Sequence, residues 1–367
     1  MSDIPLHDLV IRHIAEYLWG NNSTLTALMR VSKRFYALRD IFYRCVTLDR
    51  YQSPHFFKKN PHPYGWNIVR CMTFNNETDI TDANISMFSS VHELEFFNCP
   101  NIHDVSALKK ATRLYLYLCP LITDVSPLKN VRAMLLNECI GIRDVSALSD
   151  VYDLCFEQCD NITNYSTLTG VHRLELNNCN IRGLCGGFGG KVHHLILDNC
   201  PNITDVSPLN SVYHLQISHC DGIRDVSTLG TVHILELEFC MSISDVSALG
   251  GVHTLKLLGL EIIDVSALGT VHTLTLNNCH NIVDVSALGT VYSLDIRYCF
   301  KICDVSRLSR VHSLQIYYCY GIEDVSALGG VHSLTLWGCQ SLRDPGNALK
   351  NVPQLIIFGC NNIANTR

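Results

Sequence analysis

From Val69 onward, apolar residues recur in one fixed order about every twenty positions. A clean copy runs Val271-His272-Thr273-Leu274-Thr275-Leu276-Asn277-Asn278-Cys279-His280-Asn281-Ile282-Val283-Asp284-Val285-Ser286-Ala287-Leu288-Gly289-Thr290. Its recurring apolar set is Val271, Leu274, Leu276, Cys279, Ile282, Val285 and Leu288. Leu274 and Leu276 stand two apart, the spacing of a strand with one buried face. Cys279, Ile282, Val285 and Leu288 follow at intervals of three, which predicts a return arm of short 3₁₀ or extended turns. Fifteen copies are counted, the first at Val69 and the last at Val352. One copy cannot shield seven such side chains from water. Stacked copies bury them in one continuous core behind a parallel sheet, so the period predicts a solenoid. At about 4.8 Å per strand, the sheet of such an array would be roughly 70 Å long.

Two copies depart from the rule. The one at Val252 is a residue short and carries Leu260 where the cysteine belongs. The one at Val171 replaces Asp-Val-Ser by Leu184-Cys185-Gly186-Gly187-Phe188-Gly189-Gly190, a glycine cluster that predicts a loosened arm.

Composition narrows the function without naming it. Hydrophobic residues make up 47% of the chain and charged residues 17%, which suits a continuous core and excludes disorder. A net charge of -6 argues against a nucleic-acid binder working through a basic face. No apolar run reaches the length of a transmembrane helix, so no membrane role is expected. The start, Met1-Ser2-Asp3-Ile4-Pro5, lacks the features of a signal peptide, giving a cytoplasmic or nuclear expectation. No nucleophile elbow, phosphate loop, dinucleotide fingerprint or metal-ligand motif is present, so neither an enzyme, a cofactor nor a metal is expected.

The Leu-x-Leu-x-x-Cys segment with Cys200-Pro201-Asn202-Ile203-Thr204-Asp205 resembles the cysteine-containing leucine-rich repeats. Asp205-Val206-Ser207-Pro208-Leu209 is similar to the return arm of internalin-type repeats. The resemblance implies an α/β leucine-rich-repeat solenoid, with a curved parallel sheet on the concave side and turns on the convex side. Three residue ladders then need a reading. Cysteine stands at one position in thirteen copies, Cys99 to Cys360, with parallel side chains and no paired short spacing; it reads as a small apolar core residue. Aspartate stands in twelve return arms, Asp104, Asp124, Asp205, Asp284 and Asp324 among them, and reads as a cap on the turn behind it. Histidine or tyrosine follows the first valine, as at His253, His272 and Tyr292, and predicts a stack of rings at the strand entry.

Residues 1–48 break the period. Leu6, Leu9, Val10, Ile14 and Leu18 form a helical stripe, Asn22-Ser23-Thr24 restarts it, and Leu25, Leu28 and Val31 continue it. Ile4-Pro5-Leu6, Leu9, Ile14, Leu18, Leu25 and Leu28, with the run Val31-Ser32-Lys33-Arg34-Phe35-Tyr36-Ala37-Leu38, resemble an F-box, a small three-helix module, with Ile4 where leucine is usual. Residues 49–68 read as a connector or N-terminal cap, and 69–367 as the solenoid. The resemblance implies the substrate-recognition subunit of an SCF-type ubiquitin ligase, docked on a Skp-family adaptor and through it on a cullin and a RING protein. It implies Pro5, Leu6, Leu9, Ile14, Leu18 and Val31 as the adaptor contact. F-boxes followed by near-identical copies are similar to proteins encoded by large DNA viruses. The alternative is a non-catalytic scaffold or decoy whose first helices only close the solenoid.

Side chains between the strand leucines should face outward. That places Glu93, Glu95, Tyr115, Tyr117, Glu157, Glu175, Glu236 and Glu238 on the candidate partner face, followed by Tyr298, Tyr317, Trp337 and Phe358. An unidentified substrate protein with basic and apolar groups would fit it.

Overall fold

The computed structural model describes residues 45–49, 71–75, 80–89, 91–181 and 192–360. The helical module with Pro5, Leu6, Leu9, Ile14, Leu18 and Val31, the connector, and the glycine run Gly186–Gly190 lie outside them, apart from a strand that overlaps the end of the module. The chain divides into two compact units, residues 1–153 and 154–367.

In the first unit, strands β1 (Cys45–Asp49), β2 (Cys71–Asn75), β3 (Glu93–Phe97), β4 (Arg113–Tyr117) and β5 (Ala133–Asn137) pair in parallel, each with the next. β1 precedes the first of the fifteen copies. Cys45-Val46-Thr47-Leu48-Asp49 has the same alternation as the later strands, but no return arm of the repeated type marks it in the sequence. Between β2 and β3 a one-turn helix, Asp82–Ile85, and a 3₁₀ turn, Ser86–Phe88, take the place of the usual arm.

β6 (Asp153–Glu157) begins on the last residue of the first unit. In the second unit, β7 (Arg173–Asn177), β8 (His194–Asp198), β9 (His214–Ser218), β10 (Ile234–Glu238) and β11 (Thr254–Leu258) pair in parallel and in order. β12 (Thr273–Asn277), β13 (Ser293–Arg297), β14 (Ser313–Tyr317), β15 (Ser333–Trp337) and β16 (Gln354–Phe358) continue the series. Register holds like against like: Leu274 lies beside Leu294 and Leu276 beside Ile296.

The repeated apolar set is the core. Val271, Leu274, Leu276, Cys279, Ile282, Val285 and Leu288 are all buried, and so are their equivalents in the neighbouring copies. Each buried leucine contributes about 2 kcal/mol of burial, available only because the next copy supplies the other wall.

The turn after each strand has one recurring device. Asn98, Leu118, Glu138, Gln158, Asn178, Asn199, His219, Phe239, Asn278, Tyr298 and Tyr318 all have φ near +50°, in the left-handed region. That conformation is disfavoured for any residue with a β-carbon. Here it aims each amide at the next strand, as from Gln158 N–H to Asn177 O at 3.0 Å and from Tyr318 N–H to Trp337 O at 2.8 Å. The chain thereby turns inward, and the following cysteine is buried. Its thiol points at carbonyls of its own copy and the one before: Cys279 Sγ is 3.5 Å from Asn277 O and 3.6 Å from Leu257 O. From Cys99 to Cys360 the cysteines of this ladder are free thiols.

The return arms are 3₁₀ turns such as Ser266–Thr270 and Ser286–Thr290, as the spacing of three predicts. Each is entered through the aspartate cap: Ser286 N–H donates to Asp284 Oδ1 at 2.8 Å, with the same bond at Asp104, Asp205 and Asp324. One arm differs. Tyr165 occupies the valine position of its copy, is buried, and its hydroxyl donates to Cys159 O at 3.0 Å. The ring ladder also forms in the second unit. His172, His193, Tyr213, His233, His253, His272, Tyr292, His312 and His332 stack with centroids 4.5 to 4.9 Å apart.

Candidate functional site

In a strand with buried second and fourth residues, the first, third and fifth face outward. In the first unit this brings Glu93 and Glu95 of β3 beside Arg113 and Tyr115 of β4. Tyr117 packs on Phe97, centroids 5.8 Å apart. Each of the four predicted residues here is half-buried.

The outward face of the second unit carries two clusters. The first spans β6 to β11 and is less acidic than its glutamates suggest. Glu175 accepts from Arg173 at 2.7 Å and from Asn177 at 2.8 Å. Glu236 Oε1 lies 3.0 Å from both His214 Nε2 and Lys256 Nζ. The His214 ring stacks on His194 at 4.1 Å, nearly parallel. His194 Nε2 is buried with no hydrogen-bond partner. Burial, helped by the neighbouring His214 and Arg173, lowers the His194 pKa to about 4. Beside them, burial and Glu236 raise the carboxyl of Glu238. His219 Nδ1 lies 3.0 Å from Asp198 Oδ1 at the turn.

Arg173, His194, His214 and Lys256 are functional-face residues that the sequence reading passed over. The signal was available, since they occupy the same outward positions as the glutamates, one or two copies away. Cys155 also reaches this face, half-buried, with Asn177 Nδ2 3.9 Å from its sulfur. Burial, reinforced by Glu175 and Glu157, raises its pKa. A thiol held protonated in this way is a poor nucleophile. Among the described residues no group of three or more histidine, cysteine or carboxylate side chains is placed to hold a metal ion.

The second cluster is aromatic and occupies β13 to β16. Arg297 is fixed by Asp295, with Nε and Nη2 donating at 2.9 and 2.6 Å, and lies over the Tyr317 ring at 4.6 Å. Trp337 packs on Phe358 at 4.5 Å and donates from Nε1 to the Tyr318 hydroxyl at 3.1 Å. Tyr317, Trp337 and Phe358 are fifth residues of their strands, as expected. Tyr298 is not. Its strand ends at Arg297, and Tyr298 is the left-handed residue of the turn, stacked on Tyr318 at 5.1 Å. It borders the aromatic face from the strand's end and does not stand on the strand. Ile356, on the middle outward position of β16, extends the apolar surface and was also missed.

No family model matches the chain, and no curated protein matches it in sequence. Solved structures do resemble it. An internalin, InlF, from Listeria monocytogenes is 20% identical over 80% of this chain and 82% of its own, with a TM-score of 0.39. A leucine-rich-repeat protein of Leptospira interrogans is 13% identical over 91% of this chain and 88% of its own, at 0.48. TLR13, solved in complex with ssRNA13, is 14% identical over 88% of this chain and 61% of its own, at 0.54. At such identities a likeness speaks for the fold alone. The repeat geometry itself, a parallel strand followed by a left-handed turn and a 3₁₀ return arm, is that of a leucine-rich-repeat solenoid.

Proposed function

We propose that this chain is a non-catalytic binding protein whose sheet face holds a protein partner offering an apolar anchor and basic groups. Trp337 carries the reading. The residue is 37% exposed on a strand fixed on both sides by neighbours, beside Phe358 at 49%. Large aromatics held rigidly on a surface lose little entropy on binding and are the usual anchors of interfaces. In the first cluster Glu175 and Glu236 already hold Arg173, His214 and Lys256, so basic groups of the partner compete with those contacts for the same carboxylates. Trp337→Ala with Phe358→Ala in the full chain, compared with wild type by quantitative affinity purification, tests this. Selective loss of partners supports the reading; an unchanged partner set overturns it.

A finer form rests on the resemblance of residues 4–38 to an F-box. In it the chain is the substrate-recognition subunit of an SCF-type ligase, held to the adaptor through Pro5, Leu6, Leu9, Ile14, Leu18 and Val31. Its rival is a scaffold or decoy without ligase recruitment. Full-length chain bearing Leu6→Lys and Leu9→Lys discriminates between them. A receptor co-purifies with a Skp-family adaptor and loses it on substitution while keeping the partner of the sheet face. A scaffold never brings the adaptor down.

A further inference from the structure

One return arm of the second unit departs from its neighbours in charge. Ser306-Arg307-Leu308-Ser309-Arg310 stands where the preceding copy has Ser286-Ala287-Leu288-Gly289-Thr290 and the following one Ser326-Ala327-Leu328-Gly329-Gly330. These five residues form a 3₁₀ helix. With three residues per turn, Arg307 and Arg310 leave it along one edge. Between this arm and the preceding one lies a depression of about 360 Å³, lined by Ala287, Gly289, Thr290, Arg307, Ser309 and Arg310 among others. Gly289 keeps its floor bare: a β-carbon there would stand 2.3 Å from Arg307 O, so the two arms meet backbone to backbone.

Two guanidinium groups one turn apart repel each other, and among the described residues neither forms an ion pair or a hydrogen bond. The nearby carboxylate is Asp304, which accepts from the Ser306 amide on Oδ1 at 2.8 Å and feels the charge of Arg307 without forming a close ion pair with it. Thr290 is committed too, its hydroxyl donating to Gly269 O at 2.6 Å. The hydroxyl of Ser309 joins the two guanidinium groups as a donor. The surroundings limit what can be bound. Asp284 and Asp324 repeat Asp304 on either side, and hydrogen bonds from Ser286, Ser306 and Ser326 lower the pKa of all three and keep them ionised. A ladder of ionised carboxylates repels an extended polyanion such as nucleic acid. A compact dianion that fits between the ladder's rungs meets the arginines first. Guanidinium forks match the oxygens of a phosphoryl group in spacing and charge.

We propose that the depression between the arms of Ser286–Thr290 and Ser306–Arg310 binds a phosphate monoester group, gripped by Arg307 and Arg310 with Ser309 donating a third bond. The site lies on the return arms and is separate from the sheet face. Calorimetric titration of the full chain with inorganic phosphate, and with a phosphoserine peptide of otherwise neutral side chains, tests it. The unphosphorylated peptide is the blank. The variant Arg307→Ala with Arg310→Thr carries the residues of the preceding copy, so the array is expected to fold, and an unchanged melting curve checks that. Two lost charge-assisted bonds predict saturable binding by wild type that is weaker by at least about tenfold in the variant. Binding of free phosphate but not of the peptide keeps the site and assigns it to a small ion. No saturable binding by wild type, or equal binding by a folded variant, overturns the proposal.

Discussion

The ring of Tyr318 lies against the α-carbon of Gly338, its equivalent one copy further on. A β-carbon at Gly338 would stand 2.4 Å from Tyr318 Cε1. The same relation holds between Phe239 and Gly259, at 2.5 Å from Cδ1. A large ring in the left-handed position thus leans over the next copy, and in both pairs glycine receives it. Gly338→Ala meets two obstacles, the ring and a φ of +66°. Gly346, at φ +58° with open space around it, meets only the second. Chemical denaturation should give a cost of about 1 kcal/mol for Gly346→Ala. For Gly338→Ala the overpacking adds about 1–3 kcal/mol more. Equal costs would mean that the Tyr318 ring swings aside freely, despite its bond from Trp337.

The left-handed ladder also predicts a gain. Gln158 holds φ +51° on an exposed side chain, whereas Asn98, Asn178, Asn199 and Asn278 fill the same place in other copies. Asparagine tolerates this region better than glutamine because its short side chain bonds locally. Gln158→Asn should raise the denaturation midpoint, by up to about 1 kcal/mol of stability, since the amide bond to Asn177 is unaffected. A lowered midpoint would show that Gln158 makes contacts worth more than its strain.

Which parts of this could be read from the sequence follows the range over which each signal acts. Leu274 and Leu276, Cys279 and the arm residues Asp284 to Leu288 sit within one copy, so their spacing alone foretells strand, turn and capped arm. The partners on the sheet face do not. His214, Glu236 and Lys256 come from three successive copies and meet only through the register of β9, β10 and β11. Listing the glutamates by residue type therefore gave an acidic face where the folded one is partly neutralised. Tyr298 differs for a local reason: alternation after Leu294 and Ile296 would turn its ring inward, but the backbone is left-handed from that residue and leaves the ring exposed at the strand's end.

The aspartate caps predict an acid limb. In Asp245, Asp264 and Asp284, bonds from the backbone amide and the hydroxyl of the serine two residues on lower the pKa from 3.8. A pKa depressed by folding contributes stability above the unfolded value and loses it as pH falls through the folded one. The window therefore lies below about pH 4. Changing all three to asparagine keeps an acceptor for the serine amide and removes the titration. The variant should melt somewhat lower than wild type near neutrality but lose less on going from about pH 4 to about pH 2. Parallel acid limbs would place the titrating groups elsewhere.

His194 predicts a second limb at higher pH. Folding lowers its pKa from 6.5 to about 4, through burial first and then the nearby His214 and Arg173. The neutral ring is the one the fold accepts. Its contribution is present above pH 6.5 and is lost as the pH falls toward about 4. Serine and threonine occupy this strand position at Thr254, Thr273 and Ser293, so His194→Ser is compatible with the array. Melting temperatures across that window should decline less in the variant than in wild type. An identical decline would assign the limb to other groups.

The cysteine ladder makes a prediction about reactivity. Burial pushes the thiols of Cys119 and Cys319 up to about 11 and that of Cys240 to about 12. Attack on an alkylating reagent requires a thiolate with access to solvent, and these side chains have neither. Cys303 stands outside the ladder, on the exposed start of a return arm. Brief treatment of the native chain with iodoacetamide, read peptide by peptide, should therefore modify Cys303 well ahead of Cys119, Cys240 and Cys319. In denaturant the four should react alike. Their order separates two accounts of the ladder, because sulfurs poised for metal or redox work would be reached early. Rapid labelling of Cys119, Cys240 and Cys319 in the folded protein would contradict their role as small apolar residues sealing the turn behind each strand.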